Sequence, residues 1–418
     1  MKALNRKLLR DLRALWSQAL TIALVVASGI GGFITSLSAV ESLALARDGF
    51  YADAHFADLF ASLKRAPDAL AAQLGAQPGV AEVQTTVEQM VRVEIPGLPD
   101  PIIGQLIGID ARRPHSLNRV TLAGGRALAR DGAQRSDGSL EVLVSEGFAL
   151  KRGLKPGSTL SALVNGRQRT LVVVGTALSP EFVFAGLWGM PDLRGFGIFW
   201  MDREALAAAY DMNGAFNRIA IRLAPGASEE GVIDALSRSL EPWGGRQIVG
   251  RADQTSHAML DNEIKEQRVL GTVLPAIFLG VAAFLLNVVV SRLVATQREQ
   301  IAALKALGYP NRDIATHYLA LVMLIVAAGL VLGVAVGKQL GTFFTALYAE
   351  FFFFPRFEHH IAPWLLLVSI AITVATAVAG TLNAILATVR LAPAQAMRPP
   401  APGRYRRTLL ERLGIQAI

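Results

Sequence analysis

The string "GVAVGKQ", Gly333–Gln339, is the nearest approach in the chain to a phosphate-binding loop. Such a loop needs G-x-x-x-x-G-K-[ST], because backbone amides and the lysine must surround the phosphates. The string is one residue short, lacks the Ser/Thr and lies inside a long apolar run. ATP hydrolysis, if the chain uses it, is therefore expected in another subunit. His359 and His360 are adjacent, so they point to different faces of any regular element and make a poor metal pair. The chain has no H-E-x-x-H and no G-x-S-x-G. His257 and Asp261 stand one helical turn apart, and a solvated pair explains them better than catalysis does. His317, near the start of an apolar run, is expected at a membrane interface. Without cysteine there are no disulfides, thiolate metal sites or thiol nucleophiles. No catalytic residue, cofactor or metal site is expected.

The apolar runs that would carry such groups are themselves informative. Four stretches hold no Asp, Glu, Lys or Arg: 14–40, 269–291, 314–337 and 361–389. At about 1.5 Å rise per residue, roughly 20 residues cross the hydrocarbon of a bilayer, so each run is long enough. The first is too long for the apolar region of a cleaved signal peptide, and an uncleaved anchor is expected. The fold class predicted is an α-helical membrane protein with four transmembrane helices plus a large extracytoplasmic α/β domain.

Charge orients these spans. Segments 1–13, 292–313 and 390–418 together carry 15 Lys/Arg against 4 acids. Segment 41–268 has 24 against 27, and loop 338–360 is neutral. Basic residues stay on the cytoplasmic side. Both termini and 292–313 are therefore expected in the cytoplasm of a bacterial cell, with 41–268 and 338–360 outside its inner membrane. The net charge of +8 is topological and does not point to nucleic acid.

Segment 41–268 reads as mixed α/β. Phe56–Leu63 is strand-like and leads into the helix "APDALAAQLGAQPG"; "VAEVQTTVEQMVRVEI" then alternates as one strand. The pattern returns near the end, with "FNRIAIRL", the helix "ASEEGVIDALSRSL" and "RQIVG". Two such strand–helix–strand units can pair into one split layer. The stretch 105–200 reads as a β-rich insertion on it, with Asn165–Gly166 marking a hairpin.

Two further features stand out. In "REQIAALKALGYP", Arg298–Pro310, Ile301, Leu304 and Leu307 form a narrow apolar stripe, with Arg298, Glu299 and Lys305 off it. Gly308 can take a left-handed C-cap, Pro310 prevents continuation and Asn311 can cap the next helix. The result is a short amphipathic helix between two spans. It either lies on lipid headgroups or docks in a groove of a cytoplasmic partner; the stiff capping favours docking. Gly329, Gly333, Gly337 and Gly341 form a stripe that lets another helix approach closely, from this chain or from a second copy.

"QREQIAALKALGYPNRDIATHYLALVMLIVAAGLVLGVAVG" resembles the signature of the FtsX/MacB-type permeases of ABC transporters, in which a cytoplasmic R-x-x-I-x-x-L-K-A-L-G precedes a glycine-bearing span. "GGRALARDG…EVLVSEGFALKRGLKPGSTLSALVNGRQRTLVVVG" is similar to that family's extracytoplasmic core domain, and "LAPAQAMRP" to its ending. The resemblance implies a dimer of permease units, with a second copy or a homologue, bound to cytoplasmic ABC ATPase subunits. It also implies mechanical transmission through a coupling helix at Arg298, Glu299, Ile301, Leu304, Lys305, Leu307 and Gly308. Longer relatives with eight spans continue from such a tail into a second half, so the resemblance is to their first half, and a natural half-length permease, a split gene product and a truncation are all compatible with it. Three functions follow for comparison. The first is a permease subunit working on a lipid, lipoprotein or hydrophobic compound, in contact with membrane lipid and with a possible periplasmic partner. The second is a non-transporting regulator that activates an envelope enzyme. The third, a membrane-anchored enzyme, has no catalytic constellation behind it.

Overall fold

The computed structural model describes residues 3–97, 100–112, 116–129, 137–187 and 190–390. The ending "LAPAQAMRP", the expected tail beyond residue 390, and Arg130–Gly132 of the core-domain match lie outside the described residues. In chain order the elements are α1 (Ala3–Ala14), α2 (Trp16–Asp53), β1 (Leu59–Pro67), α3 (Ala69–Gly75), β2 (Val80–Thr86), β3 (Glu88–Glu94), β4 (Ile102–Ile109), β5 (Thr121–Gly125), β6 (Leu140–Ser145) and α4 (Glu146–Arg152). There follow β7 (Thr159–Val164), β8 (Arg167–Leu178), β9 (Gly186–Leu187), β10 (Met190–Pro191), β11 (Phe196–Asp202), α5 (Arg203–Ala209), β12 (Ala215–Leu223), α6 (Glu229–Leu240) and β13 (Val249–Gly250). The chain then forms α7 (Thr255–Thr296), α8 (Arg298–Ala306), α9 (Asn311–Tyr348) and α10 (Pro363–Arg390). They form two compact units. One is built from 1–34, 272–337 and 363–418, the other from 35–271 and 338–362.

In the helical unit, the four charge-free runs fall on α2, α7, α9 and α10, each long and apolar enough to cross a membrane. Large apolar side chains point outward, among them Phe284, Val331 and Leu367, as surfaces that face lipid do. Hydroxyls on α10 are satisfied within the helix: Ser369 donates to the Leu365 carbonyl and Thr373 to that of Ser369, both at 2.7 Å.

In the α/β unit, the two strand–helix–strand repeats form one antiparallel four-stranded sheet, in the order β13-β1-β12-β2. The helices α3 and α6 cover one face, burying Leu70, Leu74, Leu236 and Leu240 against Leu59, Ile219 and Ile221. Ser228 caps α6 by accepting from the Gly231 amide, and Glu229 and Glu230 suit its positive end. The β-rich part is a second sheet in the order β5-β8-β6-β11-β4-β3-β7. Because β7 also pairs with β8, six of these strands close into a barrel around Val93, Leu106, Val142, Val173, Phe199 and Met201. The Asn165–Gly166 hairpin joins β7 to β8, with φ of 45° and 73° at the two residues. Positive values at both central positions match the right-handed twist of the strands.

One expectation is corrected. "VAEVQTTVEQMVRVEI" is two strands in two sheets, and the β-rich part begins at Glu88 instead of about 105. The chain changes sheets at the fully buried Val87. Asn217 makes this possible: its side-chain oxygen accepts from the Glu88 amide at 2.8 Å and its Nδ2 donates to the Glu88 carbonyl at 2.7 Å. The backbone groups of Glu88 are thus satisfied between the two ladders.

Beside this switch, Arg218 of β12 donates to Glu88 and, at 2.6 Å, to Glu181. Gln105 donates to the other Glu88 oxygen at 2.5 Å. Burial opposes the charge on Arg218, but the two carboxylates outweigh it and raise its pKa. Burial pushes the Glu181 carboxyl up, with Arg218 opposing.

Candidate functional site

The nine-residue helix α8 stands between α7 and α9, where Arg298–Pro310 predicts one. Its C-terminal end is closed by a pair of backbone bonds. The Tyr309 amide donates to the Leu304 carbonyl and the Gly308 amide to that of Lys305, both at 3.1 Å. Gly308 takes φ of 89°, the left-handed conformation that this closure needs. The next helix starts differently from expectation: Asn311 is its first residue, and the Pro310 carbonyl accepts the first amide bonds, from Asp313 and Ile314. Proline holds the preceding turn, so the capping role does not fall to Asn311.

The apolar stripe divides. Ile301, with Ala302 beside it, is buried in the helical unit, Leu304 and Lys305 are half-buried, and Leu307 is 77% exposed. Arg298 is half-buried and Glu299 exposed. The sequence treats the three apolar residues as one face, but α8 spends Ile301 on holding itself in place and offers Leu307 outward. An exposed leucine beside a rigid C-cap, with Glu299 and Lys305 on the same short helix, suits a partner with an apolar socket and a polar rim.

Sequence reasoning missed what fixes the base of this helix. Gln297, the residue immediately before α8, accepts from Lys7 Nζ at 2.6 Å and from the Tyr318 hydroxyl at 2.8 Å, and donates to Asp11 Oδ1 at 3.1 Å. Lys7 and Asp11 form an ion pair at 2.5 Å, with side chains 10% and 6% exposed. His317 is also buried here, its Nε2 3.3 Å from Asp11 Oδ2, so it is a member of this network. The network ties α1, the end of α7 and the start of α9 to one point. Nothing local signals it, because Asp11 and His317 are 306 residues apart.

The glycine stripe packs on α2 of the same chain. A Cβ at Gly329 would lie 2.7 Å from the Ala23 carbonyl oxygen, one at Gly333 2.9 Å from Ile30 Cβ, and one at Gly337 2.8 Å from Ile34 Cβ. Only glycine permits this approach, and close backbone contact is what holds helices together in lipid. Gly341 meets α2 and a further segment: its Cβ would lie 2.7 Å from Ser38 of α2 and 2.6 Å from His359. Gly380, not singled out from sequence, repeats the device between α10 and α7, 2.6 Å from the Ala283 carbonyl oxygen.

The other residues weighed for chemistry are engaged elsewhere. Gly333–Gln339 is continuous α-helix, so its amides form no phosphate cradle. His257 Nδ1 lies 3.2 Å from the Tyr51 hydroxyl, while Asp261 pairs with Arg47 and Lys265. His359 Nδ1 lies 3.1 Å from Thr345 Oγ1. Among the described residues no group of His, Asp and Glu is placed to hold a metal ion.

Comparison with known proteins places this geometry. Residues 272–393, which include α8, the glycine stripe up to Gly341 and α10, match the family model described as FtsX-like permease C-terminal. No curated protein is significantly similar to the chain. Among solved structures, the chain is similar to the extracellular domain of the ABC-type transporter YknZ from Gram-positive bacteria, at 13% identity and TM-score 0.31, over 46% of this chain and 99% of that one. It is also similar to the periplasmic region of MacB from Actinobacillus actinomycetemcomitans, at 11% identity and TM-score 0.30, over 50% of this chain and 92% of that one. With α8 inside the matched segment and four apolar helices in the chain, residues 272–393 are similar to the C-terminal domain of FtsX-like permeases.

Proposed function

We propose that the chain is a permease subunit that transmits ATP hydrolysis by a separate cytoplasmic ABC ATPase to an extracytoplasmic α/β unit acting on a lipid, lipoprotein or other hydrophobic substrate. The observation that carries this reading is α8. It lies within the family match, is anchored by the buried Ile301 and the Gln297 network, and presents Leu307 to a partner. The segments 1–13, 292–313 and 390–418 then face the cytoplasm, and two permease units, identical or homologous, form the working assembly. Because α2, α7 and α9 each contribute residues to both units, movement at the cytoplasmic end has a covalent route to the α/β unit.

The test is co-purification of the full-length chain with a stand-alone ABC ATPase subunit. Leu307→Asp is expected to abolish association or substrate-stimulated ATPase activity while leaving the helical unit folded. Normal coupling in that variant would remove α8 from the docking role. A cell-wall hydrolase captured by the full-length chain, with no lipid or lipoprotein bound, would replace transport by regulation of an envelope enzyme.

A further inference from the structure

The α/β unit contains an open cavity of about 600 Å³ between its two sheets. One wall is the face of the four-stranded sheet that carries no helix, where Phe60 and Ser62 of β1 project. The barrel supplies the other wall through Met90 and Phe196, and Phe184 closes one end. That end is fixed in place: the Phe184 amide donates to Ser256 Oγ and Gln254 Nε2 donates to the Glu181 carbonyl, both at 2.9 Å. The cavity is thus preformed, with a volume inside the range of about 300–1,000 Å³ typical of small-molecule sites.

Its lining is mixed, with Ser62, Gln105, Gln247 and Gln254 among the apolar side chains. Glu181 lines the cavity beside Arg218, which engages both it and Glu88. At the rim Arg246 is exposed, its backbone amide held by the Ser62 carbonyl at 2.8 Å, and among the described residues no ion pair is found for its guanidinium. Met90 is 52% exposed, an apolar side chain left in water on the barrel wall. Apolar side chains at Phe60, Met90 and Phe184 within a mixed lining, with the exposed Arg246 at the mouth, fit a molecule with an alkyl chain and an anionic head.

We propose that this cavity binds a single-chain anionic amphiphile, its chain between Phe60, Met90 and Phe184 and its head on Arg246. The proposal deepens the reading of the α/β unit as the part that acts on a hydrophobic substrate, and it rests on that reading for its role but not for binding itself.

Because the chain has no cysteine, Met90→Cys gives a single reporter. The full-length variant in zwitterionic nanodiscs, without any ATPase, is alkylated by a water-soluble maleimide in the presence of decyl phosphate. Saturable protection is expected, and Arg246→Glu should weaken it about tenfold, as expected for loss of a charge-assisted contact. Leu150→Cys, on the exposed surface of α4, should not be protected. The proposal is overturned if protection is absent, if it survives Arg246→Glu, or if decyltrimethylammonium or inorganic phosphate alone gives it equally. Since no ATPase is present, failure here leaves the coupling role of α8 standing, and failure of Leu307→Asp to uncouple leaves this binding result standing.

Discussion

Replacing Gly333 by leucine tests whether close helix approach holds the helical unit together. At this position a Cβ would lie 2.9 Å from Ile30 Cβ and 3.0 Å from the Ala27 carbonyl oxygen. Carbon atoms pack best at about 3.5–4.0 Å, so α9 and α2 must separate by more than half an ångström. Both obstacles belong to the facing helix near its backbone and cannot swing aside. Separation would also loosen the contacts of Gly329 and Gly337 along the same stripe. Overpacking costs about 1–3 kcal/mol, and leucine falls at the upper end because three carbons lie beyond its Cβ. Better helix propensity returns about 1 kcal/mol, leaving a net loss of about 2 kcal/mol. Gly280 of α7 supplies the control, since a Cβ there meets nothing within 4 Å. The assay is reversible unfolding in mixed micelles, comparing Gly333→Leu and Gly280→Leu with the unsubstituted protein. Equal stability of the two variants would refute the packing argument.

Other substitutions probe the remaining joints. Asp11→Leu strands Lys7 in a buried site and is expected to lower stability by about 3–5 kcal/mol, whereas Lys7→Leu with Asp11→Leu recovers much of the loss in the same unfolding assay. Arg218→Met leaves Glu88 and Glu181 without their cation, with an expected loss of about 3–5 kcal/mol read by thermal unfolding of the full chain. Asn217→Leu removes both partners of the Glu88 backbone and should cost about 2–3 kcal/mol, with faster amide exchange at Glu88 than in the unsubstituted protein.

The helical unit was legible because its signals are local. A run without charge, a helix-stopping glycine and a glycine every fourth residue each mark their own position. The division of the stripe on α8 was not legible: the spacing of Ile301, Leu304 and Leu307 says that they share a face, but only the packing shows that Ile301 turns inward. In the α/β unit, alternation carries through Val87 without interruption, so nothing marks where β2 gives way to β3. The change is imposed by Asn217, 129 residues from Glu88. The Gln297 network was hidden for the same reason, its partners being brought together by three helices distant in sequence. The cavity beside Arg246 arises from two sheets that the sequence describes separately.

The most direct measurement concerns the partner of α8. A photo-crosslinking residue in place of Leu307, activated in membranes of cells that also express the ATPase, should give an adduct containing peptides of that ATPase. Adducts with lipid alone, from a protein whose spans remain folded, would make α8 a helix lying on the membrane surface and would contradict the coupling role proposed for it.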